Sequence, residues 1–174
     1  FEVSSTRYAT NANFDPDGQT DGIWNAVASP IGSQNAGGNL VNQCVIFINE
    51  NSGWGTCALG VFDTSIAWRF GTGQGGNTNS KTITTSNQLK SVVVSKRTSV
   101  EKAFLNGVQQ GTDNTGKFST ISGNTSLLEV GGGDASGGAP HPNTRICELI
   151  GTKNLGASDE ATMSFSQTSY YSIP

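Results

Sequence analysis

Charge is the first thing this chain is short of. Asp, Glu, Lys and Arg make up only 13% of its 174 residues, the net charge is −3, and no basic run is longer than Lys96 and Arg97. A nucleic-acid partner requires a concentrated basic face, so none is expected. Long apolar runs are also missing. Hydrophobic residues are 34% of the chain, and no stretch approaches the roughly 20 residues of a membrane-spanning helix, so membrane insertion is not expected. There is one histidine, His141, which makes a Ser-His-Asp arrangement hard to build and leaves no Cys/His spacing suited to zinc. The three cysteines leave at least one unpaired. Cys44 and Cys57 flank a turn and are placed to bridge neighbouring strands, but all three are read here as small buried apolar side chains. No initiator Met is present, and Phe1 opens directly into folded-looking sequence, which fits a removed leader or a domain excised from a larger protein.

Glycine, Asn, Ser, Thr and Gln take the place of the missing charge and bulk. The 23 glycines are roughly twice the usual share. These residue types are poor helix formers and suit short strands joined by turns. The length is that of a single domain, residues 1–174, able to bury a sizeable core. Strands are predicted at 2–8, 43–49, 57–63, 65–71, 81–85, 90–97, 100–106, 126–130 and 144–152. The strongest local signal is Asn106-Gly107, set between Ala103, Phe104 and Leu105 on one side and Val108 on the other. Both central positions of a tight hairpin need positive φ, which Asn and Gly supply. Ile66, Trp68 and Phe70 alternate with Ala67, Arg69 and Gly71, so period two puts the three large groups on one core face and Arg69 on the other. Residues 71–80 and 131–142 are glycine-rich polar loops. The single helical hint is 158–163, with Ser158 as N-cap and acids in the first turn. Many short strands, regular turns and almost no helix predict an all-β, antiparallel β-sandwich.

A family resemblance enters on four motifs in order. Ala58-Leu-Gly-Val-Phe62 and Ile66-Ala-Trp-Arg-Phe-Gly71 are followed by Lys90-Ser-Val-Val-Val-Ser-Lys96, then by the Phe104-Leu-Asn-Gly-Val108 hairpin, then by Leu127-Leu-Glu-Val-Gly-Gly-Gly133. Ile146-Cys-Glu-Leu-Ile150 and Ala157-Ser-Asp-Glu160 close the series. From Val45 to Phe165 the chain resembles the laminin-G-like branch of the concanavalin A-like lectin/glucanase jelly rolls. Two departures stand out. Leu89 and Lys90 replace the family's Trp-His pair, and the first forty residues resemble no part of the family. The resemblance implies a jelly-roll sandwich and a binding module of the lectin or adhesion kind.

Catalytic chemistry is weakly represented. Glycoside hydrolases of this superfamily carry a Glu-x-Asp-x-x-Glu strand whose neighbouring carboxylates act as acid and nucleophile. Here Glu148 stands alone among Ile146, Cys147, Leu149 and Ile150, which reads as a strand-edge or paired carboxylate. His141 lies between two prolines in a glycine-rich loop, which argues against the central-strand histidine of lyase relatives. Tyr170 and Tyr171 read as packing for a last strand.

Sugar binding needs an aromatic face together with planar polar side chains. Trp54, in a polar turn, is the first candidate anchor, with Asn49, Asn51 and Arg69 near it in sequence. Trp24, in a stretch with no clear strand, and the loop residue His141 complete the ligand-binding candidates, whereas Trp68 reads as core. Asp15, Asp17 and Asp21 are spaced as oxygen ligands for a structural Ca²⁺, although Asp-Pro-Asp-Gly is equally a turn and the segment departs from an EF-hand at Thr20 and Ala26. No other cofactor is implied. The expected function is non-catalytic binding of a polysaccharide or other glycan by a secreted or surface-displayed module, such as one unit of a multidomain protein. A lyase or hydrolase of the same fold, or a structural protein-binding domain, are the alternatives.

Overall fold

Residues 2–3, 9–14, 21–30, 44–49, 57–61, 65–70, 79–83, 88–115, 126–130, 144–152 and 159–174 are described by a computed structural model. In chain order its first strands are β1 (Glu2–Val3), β2 (Ala9–Phe14), β3 (Asp21–Pro30), β4 (Cys44–Asn49), β5 (Cys57–Val61), β6 (Ser65–Phe70) and β7 (Asn79–Thr82). The later ones are β8 (Lys90–Arg97), β9 (Val100–Leu105), β10 (Val108–Gln109), β11 (Asn114–Thr115), β12 (Ser126–Val130) and β13 (Thr144–Thr152), followed by the helix α1 (Asp159–Tyr170). They form two sheets. The first runs β1-β13-β3-β8-β9-β10, with β11 also on β9, and the second runs β2-β12-β4-β5-β6-β7. Neighbouring strands are antiparallel in both sheets, so the chain is an antiparallel β-sandwich.

The core lies between the sheets and follows the period-two rule. β3 contributes Trp24, Ala26 and Ala28, β8 contributes Val92 and Val94, and β9 contributes Ala103 and Leu105. The second sheet answers with Leu59, Val61, Ile66, Trp68 and Phe70. The alternation in β6 therefore reads correctly from sequence. A polar tie joins the layers. The Trp68 indole Nε1–H donates to the buried carboxylate of Glu101 on β9 at 2.9 Å, and the Asn79 side-chain amide donates to the same oxygen. Two lysines, Lys90 and Lys96, end the inner row of β8 and are fully buried, reaching the carbonyls of Gln88 and Thr98.

The Asn106-Gly107 hairpin forms as the sequence predicts. Val108 pairs with Leu105, and the two turn residues have φ of 49° and 84°. The positive φ is what calls for glycine at 107, since a Cβ there would make only ordinary contact with Cβ of Phe165 on α1, at 3.4 Å.

Several expectations need correction. β3 is a ten-residue strand at the centre of the first sheet, where no clear strand was predicted. Its Gly, Asn, Asp and Pro have low strand propensity, but its small alanines fit a tightly covered position. β2 was also not predicted, and β7 begins earlier than the proposed 81–85. Residues 4–8 of the first proposed strand lie outside the described residues. Cys44 pairs with Gly60, whereas Cys57 pairs with Ile48. Three positions along a strand separate the two by about 10 Å, too far for a disulfide. Cys147 is exposed and free, not a buried apolar filler. It is the extra residue of a β-bulge, since Ile146 pairs with Ala28 and Glu148 with the next residue back, Val27.

Candidate functional site: a groove between the last strand and the helix

The bulge decides which way Glu148 faces. Without it, Ile146, Glu148 and Ile150 would share the inner face of β13. With it, Ile146 and Leu149 join the core, while Glu148 and Ile150 pair with the outward residues Val27 and Asn25. The same outer face carries α1. Ile23, Val93 and Phe104 form an apolar patch there, which Ala161 and Met163 of the helix cover. This cover explains why β8 is buried on both faces.

Most of the helix seat is polar. The side-chain amides of Asn25 and Gln167 bond reciprocally, Asn25 Nδ2 donating to Gln167 Oε1 at 2.7 Å and Gln167 Nε2 donating back. Asn25 Nδ2 also donates to the Val92 carbonyl, and the Ser91 hydroxyl donates to Gln167 Oε1 at 2.8 Å. Ser164 Oγ lies 3.0 Å from Ser91 Oγ and accepts the Gly107 N–H at 2.8 Å, which ties the hairpin to the helix.

At the start of α1, Arg97 Nε donates to the buried Glu160 carboxylate at 2.9 Å. Burial opposes ionisation of Glu160, but hydrogen bonds from Arg97 and from its own backbone outweigh it and hold the carboxyl below its ordinary value. Because the folded value is the lower one, the pair stabilises the protein above about pH 4.5 and is lost as pH falls through the folded value. Glu160→Gln is expected to cost about 1–3 kcal/mol at neutral pH. It should also flatten the acid limb of a plot of unfolding midpoint against pH. An acid limb identical in the two proteins would refute that role.

The helix ends in a Schellman motif. Ser172 has φ of 51°, its N–H reaches the Ser169 carbonyl, and the Ile173 N–H reaches the Thr168 carbonyl. Ile173 is buried, and the Pro174 carbonyl accepts from Asn106 Nδ2.

Between β13 and α1 lies an open groove of about 360 Å³, lined by Glu148, Ile150, Asp159, Thr162, Met163, Ser166 and Gln167. The size falls within the roughly 300–1,000 Å³ of small-ligand clefts. Its polar groups are two carboxylates, two hydroxyls and an amide. Ile150 and Met163 add apolar surface. Tyr170 follows Ser166 by four residues, on the same helical row. It is 81% exposed and stands edge-on to Tyr171, with ring centroids 4.9 Å apart. Slight desolvation and the nearby Glu148 carboxylate hold the Tyr171 phenol above its ordinary value, so it stays protonated at neutral pH. The exposed Tyr170 and the half-buried Tyr171 thus stand at the C-terminal end of the helix that forms one wall, outside the lining itself. The reading of these tyrosines as packing for a last strand is incorrect: they end a helix.

The residues singled out by sequence are placed elsewhere or are not described. Trp24 is a core residue, 3% exposed, with its ring 6.3 Å from that of Phe70 and nearly parallel to it. It offers no face for a sugar, because the strand that carries it is the centre of a covered sheet. Asn49 is the last residue of β4 and pairs with Leu127, and Arg69 lies in β6 opposite Ala58. Trp54, Asn51, His141, Asp15 and Asp17 lie outside the described residues. Asp21 opens β3, and its carboxylate accepts the Thr98 N–H at 3.0 Å. Among the described residues no group of three His, Cys, Asp or Glu is arranged to hold a metal ion.

Fold comparison follows from this geometry. The binding domain of botulinum neurotoxin serotype D matches with a TM-score of 0.64 at 9% identity, over 96% of this chain and 41% of that one. A botulinum neurotoxin type C structure, whose cell entry is dependent upon interaction with two ganglioside molecules, matches with a TM-score of 0.57 at 13% identity, over 86% and 36%. Trypanosoma rangeli sialidase in complex with 2,3-difluorosialic acid matches with a TM-score of 0.57 at 12% identity, over 84% and 23%. What these proteins share with this chain is the fold. The chain spans about two fifths of the length of the neurotoxin binding domains, 40% and 41% for two serotype G structures. No protein family and no curated protein sequence matches it.

Proposed function

We propose that this chain is a non-catalytic carbohydrate-binding module. The observation that carries the reading is the open, mixed polar and apolar groove, with Tyr170 and Tyr171 at the end of its helical wall, on a sandwich whose fold is shared with toxin binding domains. Sugars are held by stacking of C–H faces on aromatic rings and by hydroxyl contacts to carboxylates, amides and hydroxyls, all of which stand here. Fold likeness to a ganglioside-dependent toxin and to a sialidase complex supports the same class of ligand. Glu148 accompanied by Tyr171 has the character of a hydroxyl-recognising carboxylate, which favours binding over hydrolysis.

The finer parts of this proposal are a laminin-G-like branch of the concanavalin A-like jelly rolls, one domain over residues 1–174, and a secreted or surface-displayed setting, such as within a larger protein. Among the described residues no helix is long and apolar enough to cross a membrane. Trp54, with Asn49, Asn51, Arg69 and His141, is a second proposed contact region. A structural Ca²⁺ on Asp15, Asp17 and Asp21 also belongs to the reading, with Asp21 serving the Thr98 turn as well.

A glycan panel tests the function. The protein is expected to be retained on at least one glycan without releasing reducing ends or unsaturated products. Tyr170→Ala, at an exposed position, is expected to weaken that retention roughly tenfold, the effect of losing about 1–1.5 kcal/mol of stacking. Oligosaccharide release, or no retention at any concentration, would overturn the proposal. Loss with Trp54→Ala and none with Tyr170→Ala would move the site to the second region.

A further inference from the structure

We infer that the groove between β13 and α1 selects a glycan carrying free amines, of the glucosamine type, over one carrying carboxylates. This rests on the carbohydrate-binding reading and names the ligand class of that site. The argument is charge complementarity in a shaped cleft. Both charged residues among the described lining residues are acidic, Glu148 on the strand and Asp159 in the first turn of the helix, and they enter from opposite walls. Of the described arginines, Arg97 is paired with Glu160, and Arg145, on β13 before the bulge, is not a lining residue.

An anionic sugar such as a sialic acid would bring its carboxylate against two carboxylates, with no cation among the described lining residues to offset them. An ammonium group would find an acceptor on either wall, while Thr162, Ser166 and Gln167 meet ring hydroxyls and Ile150 and Met163 meet C–H faces. Charge-assisted bonds of this kind are roughly twice as strong as neutral ones, and partial enclosure limits salt screening.

The test compares the intact protein on three immobilised probes at pH 6: a glucosamine oligomer, its fully N-acetylated counterpart and a sialylated oligosaccharide. The glucosamine oligomer is expected to bind at least tenfold more tightly than either of the others, with affinity falling as salt is raised. Glu148→Gln and Asp159→Asn, which keep shape and remove charge, should each reduce that preference several-fold while leaving the unfolding midpoint close to that of the parent. Equal or tighter binding of the acetylated or sialylated probe would overturn the charge selection and leave carbohydrate binding standing. Preference for the amine with no response to either substitution would overturn the assignment to this groove. Retention of none of the three, nor of any glycan on the wider panel, would remove the underlying reading.

Discussion

Trp68→Ala is expected to lower the unfolding free energy by about 3–5 kcal/mol, a large share of the roughly 5–15 kcal/mol that holds a domain folded. The indole is completely buried in the layer between the sheets and touches both. Removing it opens a cavity that the stiff neighbouring strands cannot close, since Leu59 and Phe70 are fixed by their own ladders. A second cost arises at Glu101. Its buried carboxylate loses the indole donor and keeps the Asn79 amide. Leaving a buried acceptor poorly satisfied adds about 1–3 kcal/mol. Trp68→Phe helps to separate the two contributions, because it retains most of the side-chain volume while removing the N–H. Urea unfolding followed by far-UV circular dichroism measures both variants. A Trp68→Ala protein within 1 kcal/mol of the parent would contradict the packing described above.

The second large effect is expected at the helix seat. Asn25→Ala removes one of two amides that satisfy each other beneath α1. Gln167 would then keep the Ser91 hydroxyl on its oxygen but lose the acceptor for its N–H, at a cost of about 2–3 kcal/mol. Gln167→Ala should cost a similar amount. The double variant should cost less than the sum, because the second substitution removes a group already orphaned by the first. The loss should be local. Amide protons of residues 159–170 are expected to exchange faster by about the same free energy, while those of β3, β8 and β13 keep their protection. Uniform acceleration across the strands would show that the helix and sandwich open as one unit. Strict additivity would show that the two amides are not coupled.

These two sites differ in how visible they are in the sequence. Trp68 is legible: Ile66, Trp68 and Phe70 alternate with smaller residues, and alternation in a strand is a purely local signal. Asn25 is not. Its neighbours include Gly22 and Pro30, and nothing nearby states that the strand is central or that a helix lies 142 residues away on its outer face. The same contrast holds for the candidate site. The helix start is signalled by Ser158 and the acids after it, and α1 does begin at Asp159. That Tyr170 and Tyr171 stand at the end of a groove's helical wall depends on the helix running 12 residues and on where it docks, neither of which the short hint at 158–163 contains.

The groove itself arises from an event that residue patterns do not announce. Glu148 sits in an apolar run, Ile146 to Ile150, and simple alternation would turn it inward with Ile146. One extra residue, Cys147, reverses the parity of the rest of the strand, so that Leu149 packs inward and Glu148 faces the helix. A bulge of this kind is chosen by the whole sheet, because it is the register that buries Leu149 and frees a carboxylate from the core.

The amino-acid sequence by itself determined the strand-rich class, the inner row of β6, the Asn106-Gly107 turn and the acidic start of the helix, all of which follow from backbone preferences and side-chain period within a few residues. Tertiary structure alone decided that β3 is central, that Cys147 is a bulge, that α1 covers the first sheet and that a groove opens beside it. Those outcomes depend largely on pairings between residues about 60 to 140 positions apart, and such pairings are settled by burial and hydrogen-bond satisfaction across the finished sandwich rather than by any local preference.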